Sequence, residues 1–126
     1  MATDLEISGF EDVPGAFASV GEALGRAGVN IEGIAGGGGY LHVLVLVEDA
    51  GRARQTIEEA GLQVRERDVV LVDVADRPGG WGELGRRIAD AGINLDLIYL
   101  ATRTRIVLGA EDVAALRSAV GASSGS

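Results

Sequence analysis

Two short sets of residues in this chain have the types and spacing to hold a small charged molecule. Asp12, Pro14 and Gly15 form the first, with Ala16 directly behind them. Asp76, Arg77, Pro78, Gly79 and Gly80 form the second, and 16 residues beyond each proline stands an asparagine, Asn30 or Asn94. A glycine-rich turn at the start of a helix turns backbone N–H groups toward an anion, and the helix dipole strengthens that preference. An aspartate carboxylate is the matching acceptor for an ammonium group, and an asparagine amide can serve either end. Gly79 and Gly80 have no Cβ to keep a ligand from the backbone. Such a set suits a zwitterion. Gly80 replaces Ala16 and Arg77 replaces Val13, so the second loop reads as the roomier, more polar and better site.

The same residues also have a purely structural use. Asp12 and Asp76 can cap or complement helix termini, Asn30 and Asn94 can pin a turn, and Gly28 and Gly92 suit helix C-termini.

The two sets belong to an internal repeat, the feature to be settled before any single motif. Shifted by 64 residues, Pro14–Ile34 lies on Pro78–Ile98 with seven of 21 positions identical. Phe17, Val20, Leu24 and Ala27 match Trp81, Leu84, Ile88 and Ala91, spaced 3, 4 and 3 apart, which predicts one buried face of a helix in each copy. Phe17 and Trp81 are thereby expected in the core.

Around these helices the pattern predicts β-α-β-β-α-β. Leu5–Phe10 reads as a strand, a helix follows the proline and runs to about Ala27, and Gly28 ends it. Asn30–Ala35 and Tyr40–Val47 are strands joined by a Gly36–Gly39 turn. A helix from Glu48 to Gly61 and a strand at Leu62–Arg67 complete the first unit. The second unit repeats the order with a strand at Val69–Ala75, a helix from the proline to Gly92, strands at Asn94–Ala101 and Arg105–Ala110, and a helix at Glu111–Val120. Gly121–Ser126 reads as a disordered tail, so the second unit lacks its last strand. The organisation expected is residues 1–67 and 68–126, two halves each only marginally stable alone. The strand at 69–75 is left with an open edge, which proteins seldom leave bare; a second copy of the chain is the expected cover, and a strand deleted without replacement is the alternative. Tyr40–Val47 is apolar on both faces, so its second face should be covered as well.

Composition removes several functions. The formal charge is −8 with no cluster of basic residues, which argues against nucleic acid. Without cysteine there are no disulfides, zinc ribbons or thiol nucleophiles. No apolar run approaches the length that spans a bilayer, and residues 1–20 carry four acidic side chains and no basic stretch, which argues against a secretory signal. The cytoplasm is the expected compartment. Gly80, Gly82 and Gly85 spell a dinucleotide fingerprint, but the aligned first copy puts them inside a helix, and the next strand turns back as a hairpin. Gly36–Gly39 could cradle phosphate but reads as a turn. His42, the one histidine, has no second histidine or cysteine with which to bind a metal, and no serine, histidine and aspartate share a catalytic spacing. No metal, cofactor or catalysis is expected.

With the repeat, the element order and the D-x-P-G…A-G-[VI]-N-[IL] pattern in both copies, residues 5–120 resemble the ACT domain family as a tandem pair. The resemblance implies an α+β, ferredoxin-like sandwich in each unit, and a small-molecule sensor, most often of amino acids, attached to or associated with metabolic enzymes and regulators. In the family the ligand sits where two ACT units meet, between the loop before the first helix and an asparagine at the start of the second strand. Carried over, that implies Asp12, Pro14, Gly15, Ala16, Asn30 and Ile31 in one unit. In the other it implies Asp76, Arg77, Pro78, Gly79, Gly80, Asn94 and Leu95. Serine-binding members place a histidine two residues before the loop's polar residue, where this chain has Phe10 and Val74. The function implied is a homodimeric, non-catalytic regulatory module that binds an amino acid or related metabolite. A ligand-free interaction module docking on a metabolic enzyme, or a small enzyme using His42, are the alternatives.

Overall fold

A computed structural model describes residues 2–121. They fall into two compact units, one over Thr3–Arg67 and one that starts at Asp68.

The first unit runs β1 (Ala2–Ser8), α1 (Ala16–Arg26), β2 (Gly33–Gly37), β3 (Tyr40–Leu46), α2 (Ala50–Glu59) and β4 (Gln63–Asp68). Its strands lie in the order β4-β1-β3-β2, the ferredoxin-like βαββαβ arrangement expected. Alternation decides which side chains meet the helices. Leu5 and Ile7 of β1 and Leu41, Val43 and Val45 of β3 bury against Val20 and Leu24 of α1 and Ala53 and Ile57 of α2. On the other face of β3 Leu44 is fully buried while Tyr40 is 49% exposed, so the cover expected for that face is present at Leu44 and not along the whole strand.

The second unit runs β5 (Val70–Asp73), α3 (Gly80–Asp90), β6 (Leu97–Ala101), β7 (Arg105–Gly109) and α4 (Val113–Val120). Its strands lie in the order β6-β7-β5, and its core joins Val70, Val72, Ile106 and Leu108 to Leu84, Ile88, Leu116 and Val120. Among the described residues there is no fourth strand, and β5 has β7 as its one strand neighbour. The expected tail beyond Gly121 lies outside the described residues.

The helix ends follow the expected chemistry. Gly28 and Gly92, just beyond α1 and α3, take φ of 74° and 76°, a left-handed conformation that costs glycine nothing. Two expectations are corrected. The second strands begin at Gly33 and Leu97 rather than at the asparagines, because Val29 and Ile93 first close their helices by bonding back to Leu24 and Ile88. Phe17 and Trp81 are not core residues: they are 62% and 46% exposed. Each lies in the first turn of its helix, one turn short of the core that begins at Val20 and Leu84.

Candidate functional site

The two corners before α1 and α3 are built alike. Val13 N–H donates to the Glu11 carbonyl and Ala16 N–H to the Val13 carbonyl, at 2.9 and 3.2 Å. Arg77 and Gly80 repeat both bonds onto Ala75 and Arg77, at 2.9 and 3.1 Å. Gly15 and Gly79 then stand as the N-caps, with φ of 90° and 88°, and neither helix receives a side-chain cap. The aspartates therefore do not cap these helices. The Ala16 and Gly80 amides are spent on these bonds, but the next amides of each first turn have no intrahelical acceptor, so both corners keep N–H groups for an anion.

Around the first corner lies an open cavity of about 510 Å³. Phe10, Asp12, Val13, Ala16 and Phe17 line it on the corner side; Ile34, Leu41 and the run Gly36–Gly39 line it on the hairpin side. The hairpin is part of the site because it carries so little. Gly37 pairs with Tyr40, leaving Gly38 and Gly39 as a two-residue turn, and Gly39 takes φ of 86°. A Cβ on Gly38 would stand 2.7 Å from Oδ2 of Asp12, and one on Gly36 would stand 2.6 Å from the Tyr40 carbonyl oxygen. Reading Gly36–Gly39 only as a turn missed this; the signal available was four glycines in the copy whose partner has none.

The second corner differs in detail. Arg77 lies across it: Nη2 donates to Glu83 at 2.6 Å and Nη1 to the Pro78 carbonyl at 3.4 Å. That hydrogen bond, with the charge attraction behind it, lowers the Glu83 carboxyl below its ordinary range and raises the Arg77 guanidinium. The room read into Gly80 is not open to a ligand, since Gly80 is buried and a Cβ there would meet the Ala75 carbonyl oxygen at 2.3 Å. The hairpin here is one residue longer. Ala101 pairs with Arg105 around Thr102–Arg103–Thr104, with Arg103 and Thr104 at φ of 59° and 53°. Arg105 braces it, donating from Nε to the Thr102 carbonyl at 2.8 Å and from Nη2 to Thr102 Oγ1 at 2.7 Å.

Asp12, Pro14, Gly15 and Ala16 are thus brought together at one corner, and Asp76, Arg77, Pro78, Gly79 and Gly80 at the other. The asparagines are not brought to them within a unit. Asn30 with Ile31, and Asn94 with Leu95, follow the far ends of α1 and α3, each 11 residues long and so roughly 16 Å at 1.5 Å per residue. An amino acid cannot touch both ends. Asn30 Nδ2 donates to Glu32 Oε2 at 2.6 Å, while Asn94 lines a cleft of about 350 Å³ with Asp96, Glu111 and Asp112. Asp112 itself caps α4, accepting from the Ala115 N–H at 3.0 Å.

His42 has a partner that its sequence position hid. Its Nδ1 lies 2.9 Å from Oδ2 of Asp4 on β1; the carboxylate is fully buried and the imidazole 14% exposed. Among the described residues no group of three or more histidine, cysteine, aspartate or glutamate side chains is placed to hold a metal ion, and no helix is long and apolar enough to cross a membrane.

No protein-family model and no curated protein matches the sequence. Solved structures do match it. The regulatory subunit of aspartate kinase from Thermus thermophilus, in its ligand-free form, is similar with a TM-score of 0.71 and 25% identity, over 94% of this chain and 88% of that one. The same subunit from Thermus flavus gives 0.69 and 24%, over 94% and 90%. Protein BT0572 from Bacteroides thetaiotaomicron gives 0.77 and 19%, over 94% and 85%. The fold is that of the aspartate kinase regulatory domains, the tandem ACT-type architecture that the repeated D-x-P-G corner implied.

Proposed function

We propose that this chain is a non-catalytic regulatory module that binds a free amino acid at the glycine–proline corner and passes its occupancy to a partner of amino-acid metabolism. The observation that carries this reading is the corner before α1. Asp12 and the first-turn residues Ala16 and Phe17 of a helix without a side-chain cap line one cavity, beside the left-handed N-cap Gly15, and a carboxylate acceptor with first-turn amides is what an ammonium and a carboxylate require. The likeness to aspartate kinase regulatory subunits supports the regulatory half.

The chain acts as a homodimer. The strand β5, bonded on one side by β7, is the edge that a second copy covers, and the asparagines beyond α1 and α3 reach a ligand held by another copy's corner. Signalling is a population shift, limited to the ligand's differential affinity for the two arrangements. The open edge of β5 also favours a second reading, an interaction module that docks without a ligand.

Thermal melting against the twenty amino acids separates the two. A ligand at 100 times its dissociation constant adds about 2.7 kcal/mol, which raises the midpoint by several degrees in a chain of this size. Absence of any shift at millimolar concentration contradicts the binding reading and leaves the docking one.

A further inference from the structure

We propose that the cavity of the first unit selects an amino acid with an apolar side chain, of leucine, methionine or phenylalanine type. This rests on the amino-acid-binding reading and narrows it. The walls are apolar: Phe10, Val13, Phe17, Ile34 and Leu41 surround the space. Three of them stand in water, with Val13 51%, Phe17 62% and Ile34 40% exposed. Solvated apolar surface gathered in one concavity favours an apolar occupant, and about 510 Å³ lies within the range of small-molecule sites.

Charge orients that occupant. The charged side chains lining the cavity are Glu11 and Asp12, both acidic, with no lysine, arginine or histidine. A ligand with a second carboxylate is repelled, and its single carboxylate is left to the amide hydrogens of the first turn of α1. The ammonium faces Asp12, whose position depends on the bare Gly38. A hydroxyl or amide in the ligand's side chain would meet hydrocarbon and lose its bonds to water.

The second unit serves as an internal control. Phe17 and Ile34 have counterparts in Trp81 and Ile98, but the hairpin carries Leu100, Thr102 and Arg103 where the first has glycines. Arg77 also replaces Val13, bringing a cation to the corner. Selection for an apolar side chain is therefore a property of the first copy.

Isothermal titration calorimetry on the full chain at neutral pH tests this. The probes are L-leucine, L-methionine and L-phenylalanine against L-serine, L-threonine, L-lysine and L-aspartate, with isoamylamine and isovalerate as half-ligands. At least one apolar amino acid should bind about tenfold or more tighter than every polar one, since it alone covers the exposed apolar walls. Isoamylamine should retain weak binding and isovalerate none. Asp12→Asn and Phe17→Ala, both at exposed positions, should each weaken the apolar ligand by about tenfold while the melting midpoint stays near that of the native chain. Tight binding of lysine, aspartate, serine or threonine in place of the apolar set overturns the selectivity and leaves amino-acid binding standing. Leucine binding unaffected by both variants overturns the placement. No heat with any amino acid removes the underlying reading as well.

Discussion

Asp12 keeps its place because Gly38 has no side chain: a Cβ on Gly38 would stand 2.7 Å from Oδ2 and 3.3 Å from Cγ of Asp12. Gly38→Ala must displace that carboxylate. Because Asp12 is exposed and can swing away, stability should change by less than about 1 kcal/mol. Affinity for an amino acid should fall by about tenfold, as for loss of one bond to a charged group. Calorimetry and melting on the same variant check both halves, and a large stability loss with affinity intact would contradict the account.

Two glycines two positions apart in one helix should respond oppositely. At Gly80 a Cβ would strike the backbone oxygen of Ala75 at 2.3 Å, and backbone cannot step aside. Gly80→Ala is expected to destabilise by about 1–3 kcal/mol, as for other overpacked sites. Gly82, inside α3, has nothing within 4 Å of its Cβ position, so Gly82→Ala should stabilise by about 0.5–1 kcal/mol through backbone entropy. Denaturant midpoints for the pair decide it, and the same sign for both would refute the corner geometry.

Arg77 and Glu83 give a pH-dependent prediction. The arginine's hydrogen bond lowers the folded-state Glu83 carboxyl below its ordinary value of 4.5. A depressed carboxyl contributes stability above its unfolded value and loses it as pH falls through the folded one. The native chain should therefore melt above Glu83→Gln at neutral pH. The difference should close as pH falls below about 4.5, and added salt should shrink it at neutral pH because both groups are exposed. Arg77→Ala should return the Glu83 titration, followed by carbon NMR, to the ordinary range. A Glu83 titration that does not move would contradict the pairing.

His42 and Asp4 test the enzyme alternative. His42→Ala removes one hydrogen-bond partner of a fully buried carboxylate and should cost about 1–3 kcal/mol. Amino-acid affinity should stay within about twofold of native, well inside the tenfold that corresponds to 1.4 kcal/mol, because His42 does not line the cavity. Loss of binding with stability unchanged would assign His42 to the ligand.

What could be read from the sequence was what depends on local chemistry. The prolines before α1 and α3, Gly28 and Gly92 behind them, and the alternation of Leu41, Val43 and Val45 specify elements by themselves, and the repeat supplied their order. Contacts between distant residues left no such trace. Asp4 and His42 lie 38 positions apart, and neither neighbourhood announces the other. Phe17 and Trp81 fit the helical period yet face water, because periodicity fixes a direction around a helix and not how far the core extends along it. Gly36–Gly39 looked like slack in a turn, while Gly36 and Gly38 are places where a side chain would collide. Gly21 and Gly85, identical in both copies, have nothing within 4 Å of a Cβ, and nothing in the structure explains the glycine there.

The measurement that bears most directly on the central claim is an amide NMR titration of the full chain with L-leucine. The account predicts saturable shifts concentrated at Asp12–Phe17 and Gly36–Gly39, with Asp12→Asn moving their midpoint to about tenfold higher leucine. Shifts confined to residues remote from that corner, or none with any amino acid at millimolar concentration, would contradict it.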